Sequence, residues 1–231
     1  MFTQKKITDK RIWQSIQMLF ILALVLLIPL NGYTQDLNAD LIEAVLKNDT
    51  ATTRFLLAKG ADISTRDQIY GMTLLHLAVE KGYKDMAQLL IAKGADLNAM
   101  DEVNGWTPMH QAAQRDDTEM AQLLIASGVN LNIKDEVNNR TPLYFAVSWG
   151  NKDMVKMLIT NGAKINAKAF FNTTPLHLAS ERGDKDMVEL LVSNGAELNA
   201  KDEIGETPLA CALRCGHTDI ARLLKKFGAG E

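Results

Sequence analysis

Three histidines at repeating distances are the residues of this chain whose type and spacing most readily suggest chemistry. His76, His110 and His177 each follow a threonine by three residues, and they lie 34 and 67 residues apart. A row of imidazoles could bind a metal ion or serve as a set of general bases. Tyr144 and Ala210 stand at two equivalent positions, however, so the row is interrupted. The interruption argues against a shared set of metal ligands or bases.

Four aspartates recur in a similar way, each within a polar stretch. They are Asp67, Asp101, Asp135 and Asp202. Catalysis by two carboxylates requires a separation below about 10 Å, which groups in separate loops do not provide. Hydrogen bonding to backbone N–H groups of their own loops is the role that the pattern favours.

No other arrangement of residues indicates catalysis. The spacing supports no Ser-His-Asp or Cys-His set, and no glycine-rich phosphate loop occurs. We therefore predict a protein that is not an enzyme, with no catalytic residue, metal site or cofactor. Two cysteines, Cys211 and Cys215, are too few for a zinc cluster built on cysteines. Since they are four positions apart on a predicted helix, their Cα atoms are ~6 Å apart, which is within reach of a disulfide. They are therefore either two reduced thiols or a strained disulfide.

Two independent markers divide the chain into units of 33 or 34 residues. The first is a motif that starts at Thr73, Thr107, Thr141, Thr174 and Thr207. The second is a glycine series, Gly60, Gly94, Gly128, Gly162, Gly195 and Gly228. A shared period in two series of markers indicates a repeat protein.

The same residues define the elements of each unit. Threonine caps a helix and proline fits its first turn, so each Thr-Pro pair predicts a helix start. Glycine nine residues later predicts a left-handed end, and a second apolar stretch ends at the second glycine series. Each unit is thus predicted to be a helix, a tight turn, a second helix and a hairpin-like loop. Stacked units should bury residues of the second helices, namely Met86, Leu89, Leu90, Met120, Leu123, Leu124, Met157, Leu158, Leu190, Leu191, Leu223 and Leu224.

The pattern resembles the ankyrin repeat over residues 37 to 231. The best local matches are Thr174-Pro175-Leu176-His177-Leu178-Ala179 and Leu90-Ile91-Ala92-Lys93-Gly94-Ala95-Asp96-Leu97-Asn98. The resemblance implies an all-α ankyrin-repeat solenoid with a concave face lined by first helices and loop tips. It also implies that each motif histidine forms hydrogen bonds locally and to the neighbouring repeat.

Repeat boundaries follow from the two markers. We predict an N-terminal capping repeat at 37–66, repeats at 67–100, 101–134, 135–167 and 168–200, and a C-terminal cap at 201–231. Some positions depart from the pattern. Ala169 stands where aspartate is usual, Asn139 and Asn172 where glycine is usual, and Asp116 replaces a glycine between helices.

Residues 1–35 are predicted to be a targeting segment. Four basic residues precede an apolar run from Met18 to Ile28, and Gly32 and Thr34 suit cleavage ahead of Gln35. We expect export, to the periplasm of a bacterium. The alternative is an uncleaved anchor in the inner membrane, which would be the only association with a membrane.

The loop tips are the predicted binding surface. They carry apolar residues, and aromatic and arginine residues often dominate binding surfaces. The candidates are Ile69, Tyr70, Met72, Val103, Trp106, Arg140, Trp149, Phe170, Phe171 and Ile204.

Composition and charge exclude several classes of protein. The chain has 25 basic and 28 acidic residues and is 47% hydrophobic, which excludes a disordered chain, a collagen and a disulfide scaffold. This balance gives no indication of a basic nucleic-acid-binding domain. Together with the resemblance to ankyrin repeats, this leads us to expect an exported, monomeric, noncatalytic interaction module that binds a protein partner through its concave face and loop tips. The alternative is a membrane-anchored structural or protective accessory of an envelope enzyme.

Overall fold

A computed structural model describes residues 36–230, and twelve α-helices lie in this part of the chain. They are α1 (Leu37–Leu46), α2 (Thr50–Ala58), α3 (Leu74–Glu80), α4 (Lys84–Ala92), α5 (Pro108–Arg115), α6 (Thr118–Ala126), α7 (Pro142–Trp149), α8 (Lys152–Thr160), α9 (Pro175–Arg182), α10 (Lys185–Ser193), α11 (Pro208–Arg214) and α12 (Thr218–Lys226). A short 3₁₀ turn covers Phe170–Asn172. Within 36–230 β-pairing is limited to one isolated bridge between Arg66 and Thr73. The predicted all-α architecture is confirmed.

A threonine precedes the first helix of each full repeat, and a glycine lies at the end of that helix in three of the four, as the sequence predicts. The hydroxyl of Thr174 accepts the backbone N–H of His177, and Pro175 fills the first helical position. Gly183 ends the same helix with φ of 70°. Asp116 ends α5 in the same left-handed conformation, with φ of 56°. A short aspartate tolerates this region better than most residues, which explains why it replaces glycine there.

First helices pack on first helices, in the order α1, α3, α5, α7, α9 and α11. Second helices flank this row, and the apolar core lies between the two layers. Eight of the predicted second-helix residues are buried, but Leu123, Met157, Leu190 and Leu223 are half-buried at the edge of the core. The prediction missed Met154, Met187 and Ile220, which are fully buried. They are the repeat equivalents of Met86, one helical turn before the residues that were chosen.

A row of asparagines joins the repeats on the side of the second-helix ends. The side-chain oxygen of Asn132 accepts the backbone N–H of Lys164 at 2.7 Å, and that of Asn166 accepts Glu197 N–H at 2.9 Å. Equivalent bonds run from Asn130 N–H to Asn98 and from Gly230 N–H to Asn199. Each of these four asparagines thus satisfies a backbone donor of the next repeat.

Among the helices at 36–230, none is long and apolar enough to cross a membrane. The predicted targeting segment at 1–35 lies outside the described residues.

Candidate interaction surface

Four of the five loops between repeats are closed around an aspartate. In the second full repeat, the backbone N–H of Asp101 donates to Trp106 O at 2.8 Å. The carboxylate of Asp101 accepts N–H groups from Val103 and Asn104 at 3.1 and 2.7 Å. Asp67, Asp135 and Asp202 accept backbone N–H groups of their own loops in the same way. The predicted structural role of these four aspartates is confirmed.

Backbone hydrogen bonds join neighbouring loop tips to one another. Glu102 N–H donates to Tyr70 O at 3.0 Å, and Glu136 N–H donates to Asn104 O at 3.1 Å. The same contact continues from Phe170 N–H to Asn138 O at 2.7 Å and from Glu203 N–H to Phe171 O at 2.8 Å. The five tips therefore form one continuous edge, which the spacing of single motifs did not indicate.

Apolar side chains project from this edge. Seven of them are at least half exposed: Ile69, Tyr70, Val103, Val137, Phe170, Phe171 and Ile204. Six of these are among the predicted contact residues, so the prediction that they lie on the surface is confirmed. Trp149, at the last position of α7, is 59% exposed. Contiguous exposed apolar groups of this kind mark interaction surfaces.

The sequence suggested that Trp106 is an exposed contact residue, but this prediction is wrong. Its ring is half-buried and packs edge-on against Phe145 in the next repeat, with centroids 4.9 Å apart. The indole nitrogen is buried without a hydrogen-bond partner among the described residues. Phe145 of the following repeat therefore covers Trp106, a contact that the motif of its own repeat does not reveal.

Arg140 and Met72 are also held by contacts within the scaffold. The Arg140 guanidinium lies 4.4 Å from the Phe145 ring centroid and pairs with the fully buried carboxylate of Asp135 at 2.9 Å. Met72 is half-buried against the core. Its sulfur accepts a weak contact from the Gln111 side-chain amide at 3.8 Å. Trp106, Arg140 and Met72 therefore do not belong to the exposed surface, although the sequence predicted that they would.

The fourth tip differs from the others in conformation. Phe171 has φ of 54° and Asn172 has φ of 57°, so two successive residues other than glycine occupy the left-handed region. The rings of Phe170 and Phe171 lie 4.0 Å apart between centroids. Beside them is an open hollow of about 300 Å³, lined also by Asn138, Arg140, Tyr144, Ala169 and Thr173.

The motif histidines connect neighbouring repeats. The backbone N–H of Thr73 donates to His76 Nδ1 at 3.2 Å, so the proton of the ring is on Nε2, which donates to Trp106 O at 2.8 Å. His110 and His177 make the same two contacts. Burial lowers the pKa of His76 and His177 and lowers that of His110 to about 4. The three rings are therefore neutral, and both nitrogens of each ring are hydrogen-bonded. This is the structural role that the resemblance to ankyrin repeats implied.

Tyr144 replaces the histidine in the third full repeat and keeps part of its contact. Its hydroxyl lies 3.4 Å from Thr173 Oγ1, across to the next loop. Burial raises the pKa of this phenol, so it stays protonated at neutral pH.

Among residues 36–230, one group of potential metal ligands lies in the last repeat, but its donors are already engaged. Oxygens of Asp202 and Glu206 and the sulfur of Cys211 lie within 4.8 Å of one another. Arg214 Nε donates to Glu206 Oε2 at 3.0 Å, and the Cys211 thiol donates to the same oxygen at 3.6 Å. Burial raises the pKa of Cys211 to about 11, which keeps the thiol protonated. The group is therefore held by its own ion pair and hydrogen bonds.

Both cysteines are free. Cys211 is buried, and Cys215 is half-buried at the end of α11. Of the two alternatives left open by the sequence, the structure has the two separate thiols.

A family model connects this architecture with known proteins. The model described as ankyrin repeats (3 copies) matches residues 23–101, 41–135, 96–169 and 168–230. No curated protein sequence matches the chain. Ankyrin repeats generally mediate protein–protein interaction and are typically noncatalytic. The repeat period, the stacked helix pairs and a match over most of the length together show that this chain belongs to the ankyrin repeat family.

Proposed function

We propose that this chain is an exported, noncatalytic interaction protein that holds one protein partner on its loop tips and on the concave face lined by the first helices. The observation that carries the proposal is the continuous edge of seven apolar tip side chains, each at least half exposed. Burying such side chains is favourable by roughly 25 cal/mol per Å² of apolar surface. A partner would remove this edge from water.

The scaffold explains why the tips suit binding. Each tip is closed by its own hydrogen bonds, and neighbouring tips are joined through their backbones. Loops held in this way lose little conformational freedom when a partner binds. Trp149 extends the surface along the first helices, because it is exposed at the end of α7.

Capture of a partner from the native envelope fraction tests the binding surface. The tip variant replaces Ile69, Val103, Val137 and Ile204 by serine and leaves the buried core intact. Phe55→Ser is the matched control, because Phe55 is 58% exposed on α2, away from the tips. We expect the wild type and the control to retain a partner that the tip variant loses. Equal retention by all three proteins would contradict the proposed surface.

Export to a bacterial periplasm is a separate part of the proposal, supported by the basic and apolar pattern of residues 1–35. Cell fractionation combined with the intact mass of the mature chain tests it. A periplasmic chain that begins near Gln35 would support cleavage and export. A membrane-bound chain that keeps residues 1–35 would contradict cleavage.

A further inference from the structure

The fourth loop tip interrupts two rows of side chains that the other tips share. The first position after the loop aspartate is polar in the other tips (Gln68, Glu102, Glu136 and Glu203), and the next position is aliphatic (Ile69, Val103, Val137 and Ile204). Phe170 and Phe171 occupy these two places in the fourth tip. Phe170 N–H donates to the preceding tip as Glu136 N–H does, so Phe170 has the register of a glutamate. Two aromatic rings thus stand in the middle of an acidic and aliphatic edge.

The hollow beside these rings arises where the repeat pattern changes. Ala169 replaces the aspartate whose carboxylate closes the other loops, and Tyr144 replaces the motif histidine. The two phenylalanines form an apolar rim, while Asn138, Tyr144 and Thr173 supply amide and hydroxyl groups around it. The guanidinium of Arg140, which also lines the hollow, is compensated by Asp135. The hollow is thus suited to an apolar group with a polar edge rather than to an ion.

The backbone at Phe171 supports a role in binding. Side chains with a Cβ avoid the left-handed region, at a cost of roughly 1–2 kcal/mol per residue. Phe171 nevertheless has φ of 54°, and its ring is 57% exposed. Residues held in such conformations occur preferentially at ligand sites. Packing in the interior does not account for this conformation, because the ring is exposed.

We propose that the hollow at the fourth tip receives an aromatic side chain with a polar edge, such as tryptophan or tyrosine. This side chain belongs to an extended partner segment, which carries basic residues about three positions to either side of it. Stacking on Phe170 and Phe171 favours an aromatic group. Glu136 and Glu203 are exposed on the two neighbouring tips and complement basic groups. Packed repeats are ~8–10 Å apart and an extended chain advances ~3.3 Å per residue, which gives the interval of three. This inference rests on the proposed function and names the kind of partner.

Defined peptides test it with the full chain. The probe is a dye-labelled peptide, Gly-Lys-Gly-Ser-Trp-Ser-Gly-Lys-Gly, and its binding is measured by fluorescence anisotropy. One comparison peptide has alanine in place of tryptophan, and the other has glutamate in place of both lysines. The second comparison is needed because Lys168 and Lys201 precede the tips on the same loops and are also exposed. We expect the tryptophan and lysine peptide to bind at least about tenfold more tightly than either comparison.

Variants locate the bound peptide. Phe170→Ala and Phe171→Gly should each weaken binding by about tenfold or more, because each removes one exposed ring without opening the core. Glycine at 171 also preserves the backbone, since it adopts positive φ without strain. Phe55→Ala, which removes an equally exposed ring elsewhere, should leave binding unchanged.

Three results would overturn the inference: no binding of the peptide, equal binding of either comparison peptide, or unchanged binding by both phenylalanine variants. The serine tip variant leaves Phe170 and Phe171 in place and tests the proposed function separately. A partner lost by that variant, together with failure of the peptide to bind at the hollow, would refute only the aromatic anchor.

Discussion

The ring of Trp106 packs edge-on against the ring of Phe145, at 4.9 Å between centroids, although the two residues belong to different repeats. The guanidinium of Arg140 covers the same phenylalanine at 4.4 Å. Phe145 itself is buried. One aromatic side chain therefore connects the loop ends of two successive repeats with the first helix of the second.

Phe145→Ala should lower the free energy of unfolding by about 3–5 kcal/mol, because it opens a cavity where Trp106 and Arg140 now pack. Urea denaturation followed by circular dichroism measures the change. Phe55→Ala is the control, and as an exposed substitution it should change stability by less than about 1 kcal/mol. Similar losses in the two variants would show that the cluster does not stabilise the stack.

Stability should fall as the pH is lowered from about 6.5 to 4. Burial lowers the pKa of His110 to about 4, whereas an unfolded histidine titrates near 6.5. Between these values the unfolded chain binds protons that the folded chain excludes, so the free energy of unfolding rises with pH. The contribution of His110 is complete above pH 6.5 and is on the order of 3 kcal/mol.

Urea denaturation of the wild type and of His110→Gln at pH 7 and pH 4.5 measures this effect. Carboxylates titrate in the same range, so the difference between the two proteins isolates the histidine. The variant should show the smaller pH dependence. If the free energy of unfolding changed equally between the two pH values in both proteins, the pKa of His110 would not differ between the folded and unfolded chain.

Gly183→Ala should be more destabilising than Gly216→Ala. Both glycines have positive φ, 70° and 79°, so alanine is strained at either position. A Cβ at Gly183 would lie 2.6 Å from His217 Nδ1, whereas a Cβ at Gly216 meets nothing within 4 Å. His217 would have to leave its hydrogen bond with Glu181 O.

Thermal denaturation of the two alanine variants measures the difference. We expect about 1–2 kcal/mol of destabilisation for Gly216→Ala from the backbone alone. The Gly183 variant should lose at least about 1 kcal/mol more, from the displaced hydrogen bond. Equal melting temperatures would indicate that His217 moves aside at no cost.

Ser64→Asn should stabilise the N-terminal end of the stack. Ser64 occupies the place that Asn98 and Asn132 have in later repeats, and its N–H already bonds to Asp62 as Asn98 N–H does to Asp96. An asparagine oxygen there would accept the backbone N–H of Asp96. We expect a gain of about 0.5–1 kcal/mol.

Hydrogen exchange at the amide of Asp96 reports this bond directly, and it should slow in Ser64→Asn. Ser64→Ala is the control and should leave that exchange rate unchanged. Unchanged exchange in the asparagine variant would mean that the new side chain does not reach the next repeat.

Most of the fold could be predicted from residues that mark the ends of single helices. Thr107, Pro108 and Asp116 define α5 without reference to any other part of the chain. The burial of Trp106 was harder to predict, because it depends on Phe145, which belongs to the next repeat and faces Trp106 only after stacking. The conformation of Phe171 has no local sign, since phenylalanine rarely adopts positive φ. The sequence did indicate that this loop is closed differently, because Ala169 stands where the other loops have an aspartate.

The hydrogen bonds that join the loop tips have a consequence for the kinetics of association. Because Tyr70 is tied to Glu102, Asn104 to Glu136 and Asn138 to Phe170, the edge is ordered before any partner arrives. Association then requires no folding of loops, and the encounter rate should depend mainly on diffusion and charge. Substitutions along the edge should consequently alter how long a partner stays rather than how fast it arrives.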